Sequence, residues 1–224
     1  YLLDYPELDK IPFNVMIKLA SDGVIDRSLL STIIEKAKTD ENSAIVVKDI
    51  DGNTYNVVKI GKQVWTIENL NVSKYRNGDV IPQVQDKAEW ATLKTGAWCY
   101  YENDETKGKL YNWYAVMGIH DAIENTPNKE FAPEGWHVPT DAEWTTLEEY
   151  LIASGYNYDG TTTENKIAKA MASKTGWNSA TDTGAIGNDQ SLNNDSGFNA
   201  FPEGDRNNFG SFSNEGIVAV FWSS

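Results

Sequence analysis

Apolar and polar residues change their spacing several times along the chain. From Asp26 onward Leu29, Leu30, Ile33, Ile34 and Ala37 recur at helical intervals, with Asp26 placed to cap the start and Lys36 and Lys38 in the last turn. From Ile45 the spacing switches to that of strands. Ile45-Val46-Val47 is a short apolar run, Asp51-Gly52-Asn53 is a turn, and Thr54 to Ile60 reads as extended. Gly61-Lys62 then predicts a two-residue hairpin turn that returns Gln63 to Ile67 antiparallel. A short helix is predicted over Asp86 to Leu93. The aromatic run Leu110 to Val116 fits either a strand or a buried helical turn. After Pro139, Thr140 and Glu143 have the spacing of a capping box, in which each side chain satisfies a free backbone donor of the other residue. Trp144, Leu147, Tyr150 and Leu151 follow on one face, and a second short helix is predicted over Lys166 to Ser173.

Beyond Gly176 the pattern breaks down into Gly, Asn, Asp and Ser with isolated rings. Such residues favour turns. Trp177, Phe198, Phe201, Phe209, Phe212, Phe221 and Trp222 are spread through the stretch and predict that it is ordered, pinned by aromatic anchors. The organisation expected is an N-terminal extension with one helix over 1–44, opening on a Pro-containing strap from Tyr1 to Pro12, and a single α+β domain over 45–224.

The 224 residues carry a formal charge of −14, which disfavours nucleic acid and anionic membrane surfaces as partners. No apolar run approaches the roughly 20 residues needed to span a bilayer, so a transmembrane role is not expected. The chain opens at Tyr1 rather than Met, as a processed or truncated polypeptide would. Cys99 is the sole cysteine, which precludes an internal disulfide and, among apolar neighbours, predicts a small core residue rather than a nucleophile. His120 and His137 are the only histidines. His120 is expected on a loop, and His137 is expected to be packed and hydrogen-bonded ahead of the helix. No zinc spacing exists, and no pair of carboxylates stands out as an acid and base. An enzyme is therefore not expected. No cofactor is expected either; a structural calcium held by the oxygen-rich stretch Asn188 to Asp195 is the one candidate, against turn-forming Asx residues. Asp49 to Asn53 has its glycine at the wrong place for an EF-hand loop.

Several blocks together resemble a known family: Asp49-Ile50-Asp51-Gly52-Asn53-Thr54-Tyr55, Ile60-Gly61-Lys62-Gln63-Val64-Trp65, Glu68-Asn69-Leu70, Ala97-Trp98-Cys99-Tyr100-Tyr101, Leu110 to Val116, Gly135 to Trp144 and Gly197 to Pro202. In this order, over about residues 46–224, they are similar to the Fibrobacter succinogenes major paralogous domain, a branch of the C-type-lectin-like superfamily. The resemblance implies two small antiparallel sheets, two helices and a long loop-rich C-terminal region, in secreted or lipid-anchored proteins of Bacteroidetes-type bacteria with no established catalytic role. Two departures stand out. Ala132 occupies a position where family members often have Cys, and members usually continue into another pair of strands that closes the sheet, which here would come from further chain, the N-terminal segment or a second chain. The enzymes of the superfamily that generate formylglycine rely on cysteines that a single Cys99 does not provide. The calcium-binding triplets of its lectins are not replaced by Phe201-Pro202-Glu203 or Trp222-Ser223-Ser224.

The segment from Gly197-Phe198 through Gly204 to Phe212, ending in Phe221-Trp222-Ser223-Ser224, is also similar to the variable segment of proteins diversified by retroelements. Within it the candidate ligand-binding residues are Asp205, Asn207, Asn208, Phe209, Ser211, Ser213, Glu215, Ile217, Val218 and Val220, where adaptable polar groups alternate with apolar ones as in a paratope. Phe212 and Trp222 are expected in the core beneath them. The function expected is recognition of a protein or carbohydrate on another surface, or adhesion to it, from the cell envelope or outside the cell, by an anchored or secreted protein that could be oligomeric. A phage tail-tip receptor-binding protein of the same fold is the alternative, and an enzyme of unrecognised type is the second.

Overall fold

The computed structural model describes residues 47–123 and 125–224. The helix expected from Asp26, and the extension over 1–44 as a whole, lie outside the described residues. Those described form a mixed α+β domain. Strands β1 (Val47–Lys48) and β2 (Thr54–Tyr55) pair antiparallel, as do β3 (Val57–Ile60) and β4 (Gln63–Thr66). Helix α1 (Lys87–Thr92) is followed by the antiparallel pair β5 (Trp98–Tyr100) and β6 (Lys109–Tyr111), and by one helical turn, α2 (Trp113–Val116). Helices α3 (Asp141–Ala153) and α4 (Ala168–Met171) precede the last pair, β7 (Glu203–Arg206) with β8 (Phe212–Glu215). Among the described residues four separate two-stranded ladders therefore stand where the resemblance implied two sheets. With strands of two to four residues, the ladders are joined through side-chain packing rather than through continuous main-chain pairing.

The hairpin closes as its turn residues require. Ile60 pairs with Gln63 across Gly61-Lys62, and Gly61 takes a φ of +61°, a region costly for residues with a Cβ. A Cβ there would also lie 2.9 Å from the Tyr150 ring. That contact explains why Tyr150, expected on the inner face of α3, remains 43% exposed: it covers the turn at the edge of the core.

The capping box forms, with Glu143 N donating to Thr140 Oγ1 (3.2 Å) and Thr140 N donating to Glu143 Oε2 (2.8 Å). It sets the start of α3 so that Leu147 and Leu151, both fully buried, meet Ile60, Trp65, Ile167, Phe198 and Ala200. Each leucine contributes roughly 2–3 kcal/mol by leaving water. Trp144 joins the same core from the side, with its ring 4.8 Å from Trp65 and 5.9 Å from Phe198.

Both readings of the Leu110 to Val116 run are realised, because Asn112 divides it. Its Oδ1 accepts from Ala115 N (2.9 Å), capping α2, and from Ala97 N (3.0 Å) on the neighbouring chain, while its Nδ2 donates to Thr95 O (2.9 Å). Strand ends and helix begins at one side chain. Cys99 is fully buried beside Val84, Trp90 and Ala97, and burial pushes its thiol pKa up, as suits a core residue. Asp49 is spent on its own turn: it accepts from Asn53 N (2.9 Å) and Asn53 Nδ2 (2.7 Å), and from the Tyr55 hydroxyl (2.5 Å).

The stretch beyond Gly176 is mostly turns, but its anchors differ from those expected. Trp177 and Phe198 are buried and Phe212 partly so, whereas Phe201, Phe209, Phe221 and Trp222 are exposed at the surface. Buried polar side chains do much of the holding instead. Lys169, 8% exposed, donates its ammonium to the carbonyls of Ala185 (3.2 Å), Asn188 and Asp189 (3.5 Å). Asn193, 1% exposed, donates to Ser173 O (2.9 Å) and Ile186 O (3.2 Å). The oxygen-rich stretch considered for calcium thus gives two of its carbonyls to a lysine. Among the described residues no three His, Cys, Asp or Glu side chains converge as metal ligands.

Candidate functional site

Strands β7 and β8 form a hairpin in which Asp205 faces Ser213 and Arg206 faces Phe212. Its loop is closed by Asn207 N to Ser211 O (3.0 Å) and Gly210 N to Asn207 O (2.9 Å). Asn207 Oδ1 accepts from both Phe209 N and Ser211 N (3.0 Å each). Gly210 has a φ of +74°, and a Cβ there would lie 2.7 Å from Lys87 O. Only glycine lets the loop lie this close to the first turn of α1.

Arg206 fixes the loop from beneath. Its guanidinium donates to Val84 O (2.8 Å), Gln85 O (2.8 Å) and Asp86 O (3.3 Å), and Nε donates to Gly210 O (3.3 Å). The same group lies 4.4 Å from the Trp90 ring centre and 4.7 Å from that of Phe212. Trp90 in turn donates Nε1–H to Asn207 O (3.2 Å). A planar cation held between two rings and four carbonyls has little freedom left, so the loop backbone is fixed to the domain. A second turn follows β8, with Ile217 N and Val218 N donating to Asn214 O (3.0 and 3.2 Å) and Gly216 bonded to Pro202 and Asn178.

The ten candidate residues all lie on this hairpin and the segment after it, and none is buried. Asn207, Asn208, Phe209, Glu215, Ile217 and Val220 are exposed; Asp205, Ser211, Ser213 and Val218 are partly so. They divide by what their side chains do. Asp205 accepts from Asn214 Nδ2 (2.8 Å) and Ser213 Oγ (3.3 Å), which braces the two strands. Asn207 builds the turn. Glu215 pairs with Lys107; it lies opposite Glu203, whose carboxyl pKa is raised by burial. Asn208, Phe209, Ile217 and Val220 have no such duty among the described residues, and three of them are open: Phe209 at 69%, Ile217 at 59% and Val220 at 60% exposed.

Two expectations need correction. Trp222 is not core: it is 44% exposed and donates Nε1–H to Tyr111 O (2.9 Å) at the rim of a groove. His137 is hydrogen-bonded but not packed; its ring is largely in solvent and its Nε2 lies 2.9 Å from both Glu143 carboxylate oxygens. The roles of Arg206 and Trp90 in fixing the hairpin are not among the sequence expectations, where Trp90 is only a residue of the short helix over Asp86 to Leu93. A lone Arg before an Asn-rich turn was the one available signal.

The groove, of about 630 Å³, runs from β4 to β6 and is walled by Trp65, Trp144, Phe198, Phe201, Phe221 and Trp222 among others. Phe221 lies 5.5 Å from Trp144 and 5.6 Å from Phe198, so the segment after the second turn lies against the aromatic core. Among the described residues no helix is long and apolar enough to cross a membrane.

Fold and site together define a mixed α+β domain of short ladders that carries an ordered, turn-rich C-terminal surface. The family model of the Fibrobacter succinogenes major domain matches residues 58–224, and the chain belongs to that family. No curated protein and no solved structure matches it.

Proposed function

We propose that this protein recognises a ligand, or adheres to a surface, from the cell envelope or outside the cell, through side chains displayed on the β7–β8 hairpin and the turn after it. The supporting observation is a division of labour within one short segment. The main chain is fixed by Arg206, Trp90 and Asn207, while Asn208, Phe209, Ile217 and Val220 project without intramolecular duties among the described residues. A surface whose backbone is preorganised loses little entropy on binding and can offer apolar and polar groups side by side. Catalysis has no part in this reading. The partner is a protein or a carbohydrate on another surface.

The test is a comparison of the wild-type protein with a variant carrying Asn208→Ser, Phe209→Ser, Ile217→Ser and Val220→Ser, on arrays of surface glycans and of extracellular proteins. Wild type is expected to give reproducible signals that the variant loses, with Tm changed by no more than about 2 °C. A variant that keeps the signals at unchanged stability removes the hairpin from recognition. One that unfolds shows that these side chains are structural.

A further inference from the structure

The turn between Tyr75 and Asp79 holds the one Asn-Gly step in the chain, Asn77-Gly78. Asparagine is chemically labile, and most so before glycine, whose amide nitrogen has no Cβ beside it to hinder attack on the carboxamide carbon. Both residues are exposed, and a Cβ at Gly78 would meet nothing within 4 Å.

The residues on either side are fastened. Tyr75 is buried, and its N–H donates to Asp79 O (2.9 Å). Arg76 N donates to Glu130 O (2.8 Å), and its guanidinium donates to the carbonyls of Ala132 (2.9 Å), Pro133 and Trp136 (3.0 Å each). Asp79 pairs with Lys129 (2.8 Å). Only the bond from Gly78 N to Tyr75 O (2.8 Å) engages the nucleophile. The carboxamide is already set for attack. Asp79 N–H donates to Asn77 Oδ1 (3.1 Å), the oxygen on which negative charge develops as a ring closes. Asn77 Nδ2, the nitrogen that would leave, donates to Asp79 Oδ2 (2.8 Å), the oxygen that also takes Lys129. The Asp-Gly steps at Asp51 and Asp159 offer no such electrophile. Their carboxylates are engaged by Ser73 N and Lys74, and by Thr161 and Lys166.

We propose that Asn77 is a self-modification site, converting to aspartate and isoaspartate and thereby loosening the turn that carries Arg76. Gly78 N gives its proton to hydroxide and bonds to Asn77 Cγ. The Cγ–Nδ2 bond breaks, and the nitrogen takes a proton from water and leaves as ammonia. One water then opens the ring, at Cγ to give aspartate or at the main-chain carbonyl to give isoaspartate. Nothing is oxidised or reduced, and the net change is water for ammonia. Either product places a carboxylate where Nδ2 had donated, so Asp79 loses a donor and gains a like charge. Isoaspartate also lengthens the main chain between Arg76 and Asp79, both tied to the segment 129–136. The reaction needs only residues 75–79 and water, and is independent of what the β7–β8 hairpin binds.

The test follows the whole protein in mildly alkaline buffer by peptide mapping, beside the capped free peptide Lys-Tyr-Arg-Asn-Gly-Asp-Val. Asn77 is expected to convert at a rate within about twentyfold of the free peptide, because one exposed hydrogen bond must open first. Asn178 and Asn214 are expected to stay intact over the same time. In the aged protein, amide exchange is expected to quicken at Tyr75 and Asp79. Asn77→Gln, whose longer side chain closes a ring far more slowly, is expected to show neither change. Conversion at Asn77 slower than that limit, or earlier conversion at Asn178 or Asn214, overturns the site. Unchanged exchange in the converted protein, or equal quickening in aged Asn77→Gln, overturns the loosening of the turn.

Discussion

The half of the domain around α3 and the half beyond Ala172 reach order by different means. Around α3, apolar side chains carry the load. Leu147 and Leu151 are fully excluded from water, and four aromatic rings pack around them and beside them. Beyond Ala172 the density of large apolar groups falls, and buried polar groups take over, each serving several carbonyls at once: Lys169, reaching from α4 to the carbonyls at 185–189, Asn193 between Ser173 and Ile186, and Arg206 under the β7–β8 hairpin. Apolar packing is forgiving of exact side-chain shape but needs bulk. Polar fastening needs little bulk, but each partner removed leaves others unsatisfied. A surface built the second way can keep its outer side chains free for other duties.

The comparison is broken most severely by Leu147→Ala. The side chain is wholly buried against Ile60, Trp65 and Ile167, and the cavity left behind should cost about 3–5 kcal/mol in urea or guanidinium unfolding. A loss below about 1 kcal/mol would mean that the α3 half is not held by its leucines.

Lys169→Met keeps the length and the apolar stem but removes the ammonium from three carbonyls. Denaturant unfolding is expected to show a loss of about 2–3 kcal/mol, and amide exchange is expected to quicken first at 185–193. A neutral or stabilising outcome would show that bulk, not polar fastening, orders this half after all.

Legibility followed the same divide. The capping box of Thr140 and Glu143, the Gly61-Lys62 hairpin and the helix over 87–92 were readable because each is decided by residues a few positions apart. Asn112 resolves the one ambiguous run, again locally. The roles of Lys169 and Arg206 were not readable: Arg206 bonds Val84, which is 122 positions away, and no local pattern says which cation will be buried. Trp222 was misplaced for a related reason. A large ring predicts burial on average, but this one lies at a groove rim with its indole N–H on Tyr111. The groove itself is assembled from β4, β6, α3 and residues 220–222, segments that no local pattern joins.

The sharpest and smallest prediction concerns two adjacent asparagines that look alike in sequence and in exposure. Asn207 lends its Oδ1 to two main-chain donors and its carbonyl to Trp90, whereas Asn208 does none of this among the described residues. Asn207→Ala should therefore cost about 1 kcal/mol, as the loss of a cap does, and should raise exchange at the Phe209 and Ser211 amides. Asn208→Ala should stay within about 0.5 kcal/mol of wild type and leave those amides as they were. Equal effects at the two positions would erase the distinction between scaffold and displayed residue on which the reading of the hairpin rests. Unequal effects in the expected order would locate that boundary between one residue and the next.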